Sequence, residues 1–291
     1  MVKRQFRVNS RTLDSTKMMK TLRLILLIAS IMLTACTVDR AIPRLQLISI
    51  VESGEISLPF TPDKICHDKI YKTSYILNRN KNEIHIYSAG KYSNIIGGIG
   101  TGKNNFQRLS DITLATDGGI YALDSANRKI RKYDRHGRWI TDWGLDSFKR
   151  PDKFTADNEN NFYIFDFFGR TISFYNLLTE KVEFDFGRFT LSNVSSISIN
   201  GDNLVVRDKQ SNQTMLYSSI GKEIASLEGR YLSDRYGNLI EMEDNYLSIR
   251  GIEDKHLFSV QRYNNASIYD HTLFLCTETG YKVADLIYAK K

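Results

Sequence analysis

The side chains able to do chemistry are few, and most are scattered. His67, His85, His136, His256 and His271 show neither an H-x-x-x-H nor a Cys–His spacing, so no zinc or other cofactor is expected. No G-x-S-x-G elbow and no phosphate loop occurs; the run Gly97-Gly98-Ile99-Gly100-Thr101-Gly102 joins strands rather than opening a helix. Asp124, Asp166, Asp208 and Asn78 recur at matching places and could ring a metal or a sugar. Recurrence favours a structural role, a side chain bonding backbone N–H groups nearby, because a ligand is not six-fold symmetric. Basic residues recur too. Lys103, Arg108, Arg150, Arg188 and Arg230 are candidate contacts for carboxylates, phosphates or acidic glycans. The plainer alternative is solvated loops in which they pair with Asp111, Asp146, Asp152 and Glu228. Phe167 and Phe168 sit at a turn where other copies carry Ser125-Ala126 or Lys209-Gln210; either they form a protein-contact patch or one of them plugs the blade edge.

These residues are positioned by a repeat. Asp124, Asp166 and Asp208 are 42 residues apart, and Asn78 precedes the first by 46. In each copy a tyrosine follows nine residues later: Tyr87, Tyr133, Tyr175 and Tyr217. In the clearest copy strands are predicted over 109–115, 119–124, 129–134 and 138–143, with tight turns at Asp117-Gly118-Gly119 and Arg135-His136-Gly137. A four-stranded antiparallel unit cannot cover both of its own faces, whereas radial stacking of such units does. A degraded unit fits 230–262, and half-units at 45–60 and 266–288 are expected to combine into a sixth. Strands contributed by both termini would cover edges otherwise open to aggregation. The expected fold is all-β: a six-bladed β-propeller of four-stranded antiparallel blades over 45–291, its strand tyrosines and Phe165 packed between blades. Cys66 and Cys276 either bridge the closing blade to its neighbour or remain buried free thiols.

Charge is divided unevenly. The chain carries 40 basic and 33 acidic residues; positions 1–35 take seven and one of them, leaving 33 and 32, a net of +1. A nearly neutral body argues against nucleic acid as a partner. Lys20 and Arg23 precede the apolar run Leu24–Leu33. Ten helical residues span about 15 Å, half of a bilayer core of roughly 30 Å, so the run reads as a signal peptide rather than a stable span. Residues 1–17 are unlike a compact leader start, and Met18 or Met19 is an alternative beginning.

Two resemblances follow. Leu33-Thr34-Ala35-Cys36 resembles the bacterial lipobox. That implies a lipoprotein signal peptide over 1–35, a Cys36 carrying diacylglycerol and acyl chains such as palmitate, and a tether over 36–44. Thr37, where an inner-membrane retention signal would put Asp, points to the outer membrane if the cell has one. Gly100-Thr101-Gly102, Phe106, Asp117-Gly118-Gly119-Ile120-Tyr121, Asp124, Asn127, Ile130 and Tyr133-Asp134-Arg135-His136-Gly137 resemble an NHL repeat, and the chain as a whole resembles bacterial six-bladed propeller lipoproteins. The expected function is a membrane-anchored binding or scaffold module of the cell envelope, holding a protein, peptide or glycan on one face. The alternative is a metal-dependent hydrolase or lyase using the central channel.

Overall fold

A computed structural model describes residues 45–201, 203–244, 246–250, 258–259 and 263–290. The leader, Met18, Met19, Cys36 and the tether lie outside the described residues, as does His256. Strand β1 (Leu45–Ser57) opens the chain. Blade one is β2 (Lys64–Asp68), β3 (Thr73–Asn78), β4 (Glu83–Ser88) and β5 (Lys91–Gly97). Blade two is β6 (Leu109–Leu114), β7 (Ile120–Asp124), β8 (Lys129–Tyr133) and β9 (Trp139–Gly144). Blade three is β10 (Pro151–Ala156), β11 (Phe162–Asp166), β12 (Thr171–Asn176) and β13 (Lys181–Phe186). Blade four is β14 (Val194–Asn200), β15 (Asn203–Asp208), β16 (Gln213–Ser218) and β17 (Glu223–Glu228). Blade five is β18 (Tyr231–Ser233), β19 (Leu239–Met242), β20 (Tyr246–Ile249) and β21 (Phe258–Ser259). Blade six is β22 (Tyr263–Tyr269), β23 (Thr272–Thr277) and β24 (Gly280–Lys290), with β1 paired outside β24.

Blades one to five are antiparallel meanders, blade six is completed by β1 from the other end of the described chain, and the first strands of the blades line a channel. This alternation puts the inter-blade connections and the turns between second and third strands on one face. The remaining turns lie on the other. The apolar residues that alternate along the strands fill the spaces between blades: Cys66, Tyr75 and Ile86 of blade one pack with Leu109, Ile120 and Tyr133 of blade two.

Tyrosines lock neighbouring blades twice over. From second strands, the hydroxyls of Tyr75, Tyr121 and Tyr163 donate forward to Gly118 O (2.6 Å), Asn160 Oδ1 (3.1 Å) and Ser219 O (2.7 Å) of the next blade. From third strands, Tyr133 donates to Lys103 O (2.7 Å), and Tyr217 reaches Thr190 Oγ1 (3.3 Å), each in the connection arriving from the preceding blade. A large apolar ring with a satisfied hydroxyl suits both the packed interior and the turn beside it. The expected inter-blade role of these aromatics is what the structure shows.

Cys66 and Cys276 are both free and buried. Burial pushes the Cys66 thiol from its ordinary 9.0 up to about 11, and Cys276 higher still. Burial likewise pushes Tyr133, Tyr163, Tyr263 and Tyr281 up to about 12. All six groups stay neutral in the fold and ionise more readily in the unfolded chain. Their contribution is therefore complete below the ordinary thiol value of 9.0 and is lost as pH rises toward the folded values. The denaturant midpoint is expected to fall steadily between about pH 9 and 11. A midpoint level across that window would contradict this burial.

Candidate functional site

The repeated aspartates have a structural occupation. Asp124 is fully buried and accepts from the Gln107 and Arg108 amides at 3.1 Å each, while Asn127 Nδ2 donates to it at 2.8 Å. Asp166 accepts from Lys149 N (2.8 Å), Arg150 N (3.0 Å) and Phe168 N (3.1 Å). Asp208 accepts from Ser192, Asn193, Gln210 and Ser211 amides. Each carboxylate thus clamps the incoming connection to the turn between second and third strands. In blade one the roles are exchanged: Asp63 of the connection accepts from Arg79 N at 2.8 Å. Among the described residues no group of three His, Cys, Asp or Glu converges as metal ligands would.

The face carrying these clamps holds two hollows at the channel mouth. The larger, about 840 Å³, is lined by blades four, five, six and one; the smaller, about 330 Å³, by blades one to three, and Arg79 borders both. A recurrent irregularity shapes them. The register of the first strand slips at Leu109/Asp111, Pro151/Lys153, Val194/Ser196 and Tyr263/Asn265. Bulges bend a strand and re-aim its side chains. The extra residues, Ser110, Asp152, Ser195 and Asn264, all line one hollow or the other.

The basic residues singled out from sequence part company here. Arg230 lines the larger hollow, its guanidinium 5.1 Å from the Tyr263 ring centre, and Arg108 lines the smaller one, 3.8 Å from Asp152. Arg150 lies instead over Phe167 (4.4 Å) and Phe168 (5.7 Å). Lys103 stacks on Trp139 at 3.7 Å, in the outermost strand of blade two. Arg188 is exposed in the connection after β13, outside both linings. Of the aromatic pair, Phe167 packs toward the core of blades three and four while Phe168 is 63% exposed. One is a plug and the other a surface residue.

Arg79, Arg207 and Lys209, all in the larger lining, were not singled out from the sequence. A signal existed for Arg207. It directly precedes Asp208, where the other copies place Leu77, Leu123 and Phe165, so a charge replaces an apolar residue inside a repeat. Its guanidinium donates from Nη1 to Asp208 O (3.1 Å) and from Nη2 to Asn212 Oδ1 (2.6 Å). Burial and the neighbouring Arg230 charge lower its pKa, against the pull of Asp208.

A sequence profile of a family described as a 6-bladed beta-propeller matches residues 61–185. Among solved structures, a catalytically inactive virginiamycin B lyase from Staphylococcus aureus with quinupristin is similar in fold. Its TM-score is 0.58 at 13% identity, covering 80% of this chain and 99% of that one. A streptogramin B lyase gives 0.53 at 12% identity, covering 82% and 97%. The chain is a six-bladed β-propeller. No curated protein matches it in sequence. At such identities the likeness shows the fold alone, and the propeller supports a binding or scaffold role in general terms.

Replacing Asp208 with Ala would leave four amides without their acceptor. Burial by itself would raise this carboxyl, yet the amides of Ser192, Ser211, Asn193 and Gln210 outweigh it and hold the pKa below the ordinary carboxylate range. Asp208→Ala is expected to cost about 2–4 kcal/mol in denaturant melts. Asp244→Ala, at a side chain 94% exposed, should change stability by less than about 0.5 kcal/mol. Equal effects would contradict the clamp. The Asp208 contribution is present above about pH 4 and lost as pH falls through its lower folded value.

Proposed function

We propose that the protein is a lipid-anchored binding module of the cell envelope that holds a protein, peptide or glycan on the channel-mouth face. The observation that carries this reading is the position of the larger hollow. It lies across blades four, five, six and one, where the regular repeat gives way. In blade five Glu241 stands one residue before Met242, whose amide bonds Arg230 O just as Ser125 N bonds Arg108 O in blade two. That substitution removes the aspartate clamp, and Glu241 takes a hydrogen bond from Tyr231 OH instead (2.9 Å). Elements that recur from blade to blade serve the fold, so a break in them beside a hollow that Tyr231 and Met242 line is where a ligand would act. The hollow's volume falls within the usual few hundred to about 1,000 Å³ of ligand sites. The described lining sets four cationic side chains against two carboxylates, a charge that repels a metal ion and suits a ligand better than the alternative, a metal-dependent hydrolase or lyase. Anchoring rests on the lipobox resemblance at Cys36. Two or more acyl chains, each adding about 0.8 kcal/mol per buried CH₂, would hold the module at the membrane.

Two measurements test the reading. Labelling cells with a fatty acid is expected to mark the wild-type chain and not Cys36→Ser, which should leave the membrane fraction; equal labelling would sink the anchor. A photo-crosslinking side chain at Ser196 in the hollow is expected to capture the envelope ligand. The same group at Leu178, on the opposite face and 95% exposed, should not. Capture from Leu178 alone would overturn the choice of face.

A further inference from the structure

The larger hollow carries more positive charge than its own carboxylates answer. Arg79, Arg207, Lys209 and Arg230 line it against Asp63 and Asp244, a described balance of four to two. Both acid–base approaches inside it are long: Arg79 Nη1 is 3.9 Å from Asp63 Oδ1, and Arg230 Nη1 is 3.9 Å from Asp244 Oδ1. A charge-assisted hydrogen bond measures about 2.7–2.9 Å. Among the described residues Arg207 donates only to a backbone carbonyl and to the Asn212 side chain, both neutral. Lys209 has no carboxylate partner among the described residues. The neighbouring hollow, lined by Arg79, Arg108 and Lys153 against Asp152, is also cationic but contains a short ion pair. There Lys153 Nζ meets Asp152 Oδ2 at 2.6 Å, and close by Lys64 Nζ meets Asp111 Oδ1 at 2.8 Å.

Like charges gathered on one wall in excess of their counter-charges do not stabilise a fold. Burial first and the Arg230 charge second lower the proton affinity of Arg207, against the pull of Asp208. Among the described residues no carboxylate makes a short contact with either guanidinium. Guanidinium groups present planar forks of N–H donors matched to an anion with two or more oxygens. Ser195, Ser196 and Asn264 add neutral polar groups to the same lining.

We propose that this hollow is an anion site, in which a carboxylate or phosphate group of the ligand is held between Arg207 and Arg230, with Arg79 and Lys209 contributing to the same cationic wall. The inference rests on the channel-mouth reading above and supplies the chemistry of its ligand. The full chain in detergent is titrated calorimetrically at low ionic strength with citrate and, separately, with inorganic phosphate. At least one is expected to bind, and the double variant Arg207→Gln/Arg230→Gln to weaken it tenfold or more. The double variant Arg188→Gln/Lys222→Gln removes the same charge from exposed positions outside the hollow and should bind as wild type does. Citrate alone binding identifies a carboxylate source, phosphate alone a phosphate source, and both a site open to either. Should the cavity double variant fail to fold, Arg230→Gln by itself is expected to weaken binding at least threefold, since its long approach to Asp244 and its place over Tyr263 leave little to lose in stability. The proposal is overturned if neither probe binds wild type, if the cavity variants bind unchanged, or if the control loses as much, which would mean diffuse attraction. Crosslinking from Ser196 separates the two levels. Capture that persists while both anions fail to bind overturns the anion site and leaves the choice of face standing.

Discussion

Everything at the channel mouth depends on one pairing, that of β1 with β24. Eleven residue pairs run from Leu45↔Lys290 to Ser57↔Gly280, joining the start of the described chain to its end. The pairing buries Leu47 and Ile50 with Ala284 and Leu286 in the cluster that also holds Leu273 and Leu275. It covers the open edge of a three-stranded sheet, which would otherwise offer unpaired N–H and C=O groups to other chains. It anchors to blade six the strand that leads into blade one, and the larger hollow has a wall in each. The seam is stitched further by Asn265 Nδ2 donating to Asp63 O (2.8 Å), Ser267 Oγ to Ile65 O (2.9 Å) and Thr61 Oγ1 to Glu278 O (2.7 Å). Cys66 and Cys276 add no covalent bond, so closure is carried by hydrogen bonds and packing.

Given a closed ring, the chain divides its work between what repeats and what does not. The aspartate clamps, the forward and backward tyrosine hydroxyls and the apolar strand residues recur because each blade poses the same packing problem. The charged lining does not recur. Arg207 stands where a hydrophobic residue belongs, and Asp63 takes over from the carboxylate that Asn78 lacks. Burying such groups costs desolvation energy, and at Arg207 that cost is offset by two neutral acceptors, Asp208 O and Asn212 Oδ1.

The repeat made most of the fold legible. A constant interval between Asp and Tyr located the end of the second strand and the middle of each meander. The predicted strands at 109–115 and 129–134 match β6 and β8 to within a residue. The sites were harder to read, for physical reasons. Counting basic residues in connections found Arg108 and Arg230 but also Arg150, Arg188 and Lys103, because a connection runs from the rim to the channel and position along it decides what a side chain meets. Lys103 is still at the rim, against Trp139; Arg108, five residues on, has reached the mouth. The first-strand bulges were invisible, since a register slip changes which way Ser195 and Asn264 point without changing composition. Arg207 was visible only as a disagreement between aligned copies.

The central claim is that one cooperative ring, sealed by β1, creates the mouth. Hydrogen–deuterium exchange read strand by strand tests it most directly. Amides of β1 and β24 that pair across the seam should exchange only with the global unfolding reaction, with the same free energy and denaturant dependence as those of β7 and β11 in blades two and three. Rapid exchange throughout 45–57 while blades two to four stay protected would mean that the ring stands open without its first strand, and would contradict the account.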